Sequence, residues 1–258
     1  MFKKEEEEVL DPTLRPPPQK AKVPDGYRVY VIGDIHGRLD LLNILHERID
    51  TEVRQLDAET KKVVVYLGDY IDRGNDSAGV VDLLINNPIA GCESIFLKGN
   101  HEAEMDDFLA KPEPNHLWTR CGGAETALSY KVRVKAQISA EARTQEMRDR
   151  LLEAIPKSHR EFYDNLRLNY EIGDYFMVHA GVRPQIPLKI QTPNDLLWIR
   201  EPFLSYNGQF EKVIVHGHTM IAKPITLPNR IGIDTGAYHS GKLTCLILEK
   251  EDVRFMIT

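Results

Sequence analysis

The hydrophobic positions change period along the chain. Tyr30-Val31-Ile32, Lys62 to Leu67 and Ser94 to Leu97 are short apolar runs rich in β-branched and aromatic residues, the mark of buried strands. Between them the spacing becomes helical. Leu39, Leu42, Ile44, Leu45 and Ile49 mark one helix, and Val80, Val81, Leu83, Leu84 and Ile85 mark another, capped by Asp76 or Ser77. Strand–helix–strand–helix–strand predicts an α/β unit with parallel strands. From about 102 to 167 the pattern is mostly helical. Pro112 and Pro114 break its first helix, and 137–153 forms a charged one. This stretch predicts a helical insertion beside the sheet, without a core of its own. Strands then resume. Leu168 to Ile172 and Tyr175 to His179 straddle a Gly173-Asp174 turn. Val213 to Val215, Arg230 to Ile233, Leu243 to Leu248 and Val253 to Ile257 follow. No repeat of fixed period is present. The whole predicts two facing sheets with helices outside.

Residues 1–25 lack this patterning. They hold a run of four glutamates and then Pro16-Pro17-Pro18. We expect a disordered acidic and proline-rich tail there, and a single domain over 26–258.

Composition narrows the function classes. The chain has 258 residues, 42% hydrophobic and 28% charged, as an ordinary globular protein does. A net charge of −6 argues against a bulk nucleic-acid binder. Cys92, Cys121 and Cys245 form no CxxC pair, which disfavours a cysteine zinc site or a disulfide framework. No apolar run approaches the roughly 18 residues of a membrane span. The acidic N-terminus lacks a signal-peptide apolar core. We expect a cytoplasmic protein, monomeric, with no nucleic-acid or membrane partner.

The chemistry gathers where strands end. The loop Gly68-Asp69-Tyr70-Ile71-Asp72-Arg73-Gly74 follows the second strand with two carboxylates and a guanidinium, a costly grouping unless metal or substrate neutralises it. Four other strand ends carry Asp34 with His36, Asn100 with His101, His179, and His216 with His218. Open α/β sheets place their sites at such carboxyl ends. Carboxylate, imidazole and one amide, without thiolate, suit manganese, iron or zinc. The ligands are too many for one ion. Two ions about 3.5–4 Å apart clamp a phosphoryl group and generate hydroxide near neutral pH, and an arginine fork matches phosphate oxygens.

The ordered motifs GDIHG, GDYIDRG, GNHE, HAG and GHT resemble the phosphoprotein phosphatase family of metallophosphoesterases, most of all its bacterial and phage lambda-type members. The match runs from about residue 28 to 248. The resemblance implies the calcineurin-like architecture of two facing mixed β-sheets flanked by helices. It implies one ion held by Asp34, His36 and Asp69, and a second held by Asp69, Asn100, His179 and His218, with Asp69 bridging. The ions would be manganese foremost, or iron or zinc. A hydroxide bridging them would attack phosphorus directly. His101 would protonate the leaving oxygen, Asp72 would orient His101, and Arg73 would bind phosphoryl oxygens. Leu197-Trp198-Ile199-Arg200 resembles the family's second phosphate arginine, which makes Arg200 the candidate; the alternative for Arg200 is an ion pair with Glu201 or another acid. The implied activity is removal of phosphate from phosphoprotein side chains, serine and threonine first and tyrosine as an option. Diadenosine tetraphosphate hydrolysis or small-molecule phosphatase activity is the alternative.

Several residues stay outside this assignment. His216 reads as packed or as supporting a ligand. Asp234 reads as part of a turn. Arg38 can reach substrate or cap an exposed helix start. Arg120-Cys121-Gly122-Gly123-Ala124-Glu125-Thr126, in the insertion, resembles the bacterial members but has no role readable from its physics.

Overall fold

A computed structural model describes residues 20–135 and 137–258. In chain order the elements are β1 (Tyr27–Ile32), α1 (Leu39–Val53), β2 (Lys61–Tyr66), α2 (Ser77–Asn86) and β3 (Glu93–Phe96). The insertion follows as α3 (Asn100–Ala110), α4 (Leu117–Arg120), α5 (Gly123–Ser129), α6 (Ala140–Ala154) and α7 (Lys157–Asp164). Then come β4 (Asn169–Ile172), β5 (Tyr175–Val178), α8 (Pro193–Trp198), β6 (Val213–His216), β7 (Ile225–Thr226), β8 (Arg230–Gly232), α9 (Ala237–Ser240), β9 (Thr244–Glu249) and β10 (Asp252–Ile257).

Two five-stranded mixed sheets face each other. One runs β10-β9-β1-β2-β3 and the other β4-β5-β6-β8-β7. Strands β1, β2 and β3 are parallel, as are β5, β6 and β8. Side chains alternate across each strand and so divide the core. Val29 and Val31 of β1, Val63 and Val65 of β2, and Met177 of β5 meet between the sheets. Tyr30, Ile32, Val64 and Tyr66 point the other way, under α1, α2 and the insertion. Phe176, Val178 and Ile214 pack outside the second sheet against α8 and Phe203. Because β1, β2 and β3 are parallel, their carboxyl ends open on one edge, and those of β5 and β6 meet them there. No helix among the described residues is long and apolar enough to cross a membrane.

Two expectations need correction, and one short strand has no signal in the sequence. Ile44 is 40% exposed, and His46 is buried in its stead. At 100° per residue Ile44 lies roughly 200° round the helix from Leu42, on the solvent face, whereas His46 returns to the Leu42 side. The expected disordered tail ends before residue 25. Val23 is fully buried between the sheets and its N–H donates to Lys250 O at 3.0 Å. One valine among polar neighbours is too little to register as a pattern. Residues 1–19 of that tail lie outside the described residues. Strand β7 is two exposed residues long and carries no periodicity to read.

His46 shares a 2.9 Å hydrogen bond with Tyr66 Oη, and burial pulls its pKa from 6.5 down to about 4. The unfolded chain therefore takes up a proton between these values that the folded one refuses. The stability His46 contributes is present above pH 6.5 and lost as pH falls towards 4. The stability gap between wild type and His46→Gln, measured by urea unfolding, is expected to narrow by up to about 3 kcal/mol across that window. A gap that stays constant with pH would refute this.

Candidate metal centre

The loops at the strand ends are bound to one another through backbone. The N–H groups of Ile35 and His36 both donate to Asp69 O, at 3.1 and 2.8 Å, and Gly37 N–H donates to Tyr70 O at 2.8 Å. Glu102, fully buried at the start of α3, accepts from Asp69 N and Gly99 N at 2.9 Å each and from Tyr70 N at 2.8 Å. One carboxylate thus ties the loop after β2 to the loop after β3. The site also stores backbone strain. His36, Asp69, Asp72, Arg73 and His218 all have φ between 48° and 72°, five of the nine non-glycine residues with positive φ among those described. Such positions cluster where geometry is imposed for function.

The histidines are locked in one tautomer. His36 Nδ1–H donates to Ile71 O at 2.9 Å, and His179 Nδ1–H to Leu67 O at 3.0 Å. Each ring turns its Nε2 to Asp69 Oδ2, at 3.4 and 3.5 Å. Burial lowers His36 to about 3 and His218 to about 3, and lowers His179, so these imidazoles are neutral at pH 7. Two imidazole lone pairs therefore face a carboxylate oxygen. Acceptor opposite acceptor is repulsive until a cation lies between them. Asp34 makes the same demand. Its Oδ1 is buried without a hydrogen-bond partner, while its Oδ2 accepts from His218 N at 3.0 Å. Burial, Asp234 and Asp69 push Asp34 well above the usual carboxylate range. A divalent metal ion fits each of these observations, since it takes neutral imidazole and ionised carboxylate at once.

The ligand atoms of Asp69, His179 and His218 lie within 4.8 Å of one another, and so do those of His36, Asp69 and His101. Asp69 belongs to both groups. Asn100 Oδ1 lies 2.9 Å from His179 Nε2 and 2.8 Å from His218 Nδ1, so it sits inside the first group. Asp34 belongs to neither group at that distance, although its backbone-bound carboxylate stands beside His218.

Above the ligands opens a cavity of about 670 Å³. His36, Asp69, Asn100, His101 and His218 line its floor, and Arg73 and Arg200 its walls. Arg200 Nε lies 3.3 Å from His218 Nε2, while Glu201 turns away to Ser205. Arg73 Nη1 donates to Tyr238 Oη at 2.9 Å and its guanidinium lies 4.8 Å from that ring. Asp72 is fully buried behind His101 and its Oδ2 accepts from His101 Nδ1 at 2.6 Å. Burial opposes a charged His101, but Asp69, Asp72 and Glu102 outweigh it and raise the ring to about 9.

The remaining candidates fall outside. His216 is packed, with Phe203 at 4.9 Å and Nδ1 donating to Gly217 O at 3.1 Å. Arg38 pairs with Asp40 and donates to Ala237 O, away from the cavity floor. No signal in the sequence marks Glu102, and Asp234, read there as part of a turn without chemistry, belongs to the site as well. Asp234 lines the cavity, and burial raises its pKa to about 6. It follows a strand and precedes Gly236, as the other site carboxylates do, and that pattern was the signal available. Glu102 stands inside GNHE, with nothing in the letters to say that it turns inward.

A family model described as calcineurin-like phosphoesterase matches residues 27–257. "Serine/threonine-protein phosphatase 1" of Salmonella typhimurium is 27% identical over 233 residues, covering 88% of this chain and 94% of the relative. "Serine/threonine-protein phosphatase 2" of Escherichia coli is 29% identical, covering 84% and 90%. "Bis(5'-nucleosyl)-tetraphosphatase PrpE [asymmetrical]" of Halalkalibacterium halodurans is 24% identical, covering 84% and 88%. Among solved structures, a candidate diadenosine tetraphosphatase superposes with a TM-score of 0.62 at 20% identity, covering 93% of this chain and 98% of that one. That last likeness is one of fold.

Replacing the shared ligand is expected to empty the centre. Asp69→Asn should lose most bound metal by elemental analysis. Added Mn²⁺ at about 100 times its Kd should stabilise the wild type by about 2.7 kcal/mol and leave the variant unmoved. Equal metal content in both proteins would exclude Asp69 as a ligand.

Proposed function

The chain belongs to the calcineurin-like phosphoesterase family, and on that premise we propose that it is a metal-dependent phosphomonoesterase acting on phosphorylated serine and threonine side chains of proteins. One observation carries the choice of substrate. His101 stands on the cavity floor with Nδ1 held 2.6 Å from the buried carboxylate of Asp72. An imidazolium fixed in this way is a proton donor. Proton donation matters most when the leaving oxygen is strongly basic, as a serine or threonine alkoxide is, and least when a phosphate chain departs. The charges of the cavity agree. Two arginines line it, Arg73 and Arg200, beside the acids Glu104 and Asp234. Two guanidiniums suit one phosphoryl group, whereas a chain of four phosphates would meet Glu104 as well.

The roles follow the family's motif order. Asp34, His36 and Asp69 would hold one divalent ion. Asp69, Asn100, His179 and His218 would hold the other. Manganese is our first choice, because the set has oxygen and nitrogen donors and no thiolate. When bound, such ions activate water and neutralise phosphoryl charge. Arg73 and Arg200, both in the cavity lining, grip the phosphoryl oxygens. His101 gives its proton to the leaving oxygen, and Asp72 keeps the ring oriented and charged. Three free thiols, Cys92, Cys121 and Cys245, support a cytoplasmic location.

The test is a side-by-side assay of the manganese-loaded protein on a phosphoserine peptide, diadenosine tetraphosphate and an aryl phosphate. We expect the peptide to be preferred over the dinucleotide, and the reverse order would sink the proposal. His101→Asn is expected to lower kcat on the peptide by about 10²-fold or more with metal content intact. Unchanged turnover would remove His101 as the acid. Arg200→Ala is expected to lower kcat/KM by about 10²-fold, the scale for losing one charged donor at the transition state.

A further inference from the structure

We propose that Trp118 and Thr126, in the helical insertion, are positioning residues for the acid. They bind one oxygen of Asp72 so that only the other is left for His101. The proposal rests on the reading of His101 as proton donor.

Asp72 Oδ1 accepts from Trp118 Nε1 at 3.1 Å and from Thr126 Oγ1 at 2.6 Å, while Oδ2 accepts from His101 Nδ1 at 2.6 Å. Asp72, Trp118 and Thr126 have no exposed surface, so the last two reach a substrate only through Asp72. An indole N–H donates and cannot accept. Its bond therefore favours the ionised carboxylate and orients it. Thr126 Oγ1 also accepts from Asp72 N at 2.9 Å, which clamps side chain and backbone of one residue together. With Oδ1 saturated, Oδ2 faces Nδ1–H, and the other ring nitrogen is left free towards the cavity.

The two glycines of the insertion permit this approach. Gly122 has φ +115°, and a Cβ there would lie 2.6 Å from Arg73 N. A Cβ on Gly123 would lie 2.4 Å from the Trp118 ring. Phe108 covers the same indole, with ring centroids 4.9 Å apart. The segment Trp118 to Thr126 is thus shaped to close on residues 72–73. That gives a role to the Arg120–Thr126 stretch, which the metal ligands and phosphate arginines leave unexplained.

A positioning role and a merely structural one differ in leaving-group dependence. A dinitrophenolate leaves without a proton and a serine alkoxide does not. Thr126→Val and Trp118→Phe are expected to lower kcat on a phosphoserine peptide by about 10-fold or more, and on 2,4-dinitrophenyl phosphate by less than about 2-fold. KM should hold on both. Thr126→Ser, which keeps the hydroxyl, should restore the peptide rate. In the metal-free protein, the downfield imidazole proton resonance that His101→Asn abolishes should shift upfield in both variants. Equal losses on the two substrates, or no loss on either, would overturn the proposal. His101→Asn is the control. If it splits the substrates and the two variants do not, the positioning claim fails and the acid stands. If it does not split them, the acid reading fails and takes this proposal with it.

Discussion

The buried carboxylate of Glu102 is the constraint on which the centre depends. It gathers amides from Gly99, Asp69 and Tyr70, three hydrogen bonds to one carboxyl group whose pKa burial and Asp69 raise to about 8. Bonds of this kind contribute about 0.5–1.5 kcal/mol each. What they hold in place is strained: Asp69 sits at φ 52°, and a left-handed non-glycine residue costs about 1–3 kcal/mol. The two magnitudes are comparable, so the loop keeps that conformation while Glu102 stays buried and accepts these amides. Five such residues surround the site, which asks for on the order of five fully buried aliphatic side chains in return. The core between the sheets supplies more than that, with Val29, Val31, Val63, Val65 and Leu67 fully or almost fully buried directly beneath the loops.

A second constraint follows from the first. Once backbone carbonyls hold the Nδ1 atoms of His36 and His179, both rings aim lone pairs at Asp69. Asp34 adds a buried oxygen with no partner. No rearrangement of side-chain protons removes the conflict at Asp69, because burial keeps both imidazoles neutral. The protein has concentrated acceptors at the one edge where parallel strands end, and positive charge from outside the chain is what makes that arrangement favourable.

Much of this was legible in the residues. The division into a βα half, a helical stretch and a β-rich half survives, because burial imposes period-2 and period-3.6 spacing on the longer strands and helices. The strand-end loops were legible because each pairs a charged or imidazole side chain with a nearby glycine. What escaped was contact across distance in sequence. Trp118 reads as one more core aromatic until its Nε1 is seen at Asp72, 46 positions away. Glu102 reads as a helix-start acid, whereas its bonds run back 33 residues to Asp69. Ile44 and His46 escaped for a different reason: apolar composition rather than angle draws the face, so Ile44 on the solvent side counts in and the polar His46 on the core side is left out.

The site has two halves that rest on different parts of the fold. The ligand half hangs from the sheets, through loops whose backbones bond to one another. The acid half hangs from the insertion, through Trp118 and Thr126 to Asp72. The two halves share the loop from Asp69 to Arg73, three residues of which have positive φ, and the start of α3, where Asn100 and His101 are neighbours. A change in α4 or α5 can therefore shift the proton donor against the phosphate without touching a metal ligand. A change in the sheets moves both together. The same insertion carries Leu117 and Cys121 in the cavity lining, so part of the cavity surface and the two residues bonded to Asp72 belong to one short stretch of chain. On the proposed roles, substrate preference would change by altering residues 117–126 alone, while the sheets keep the ligand half as it is.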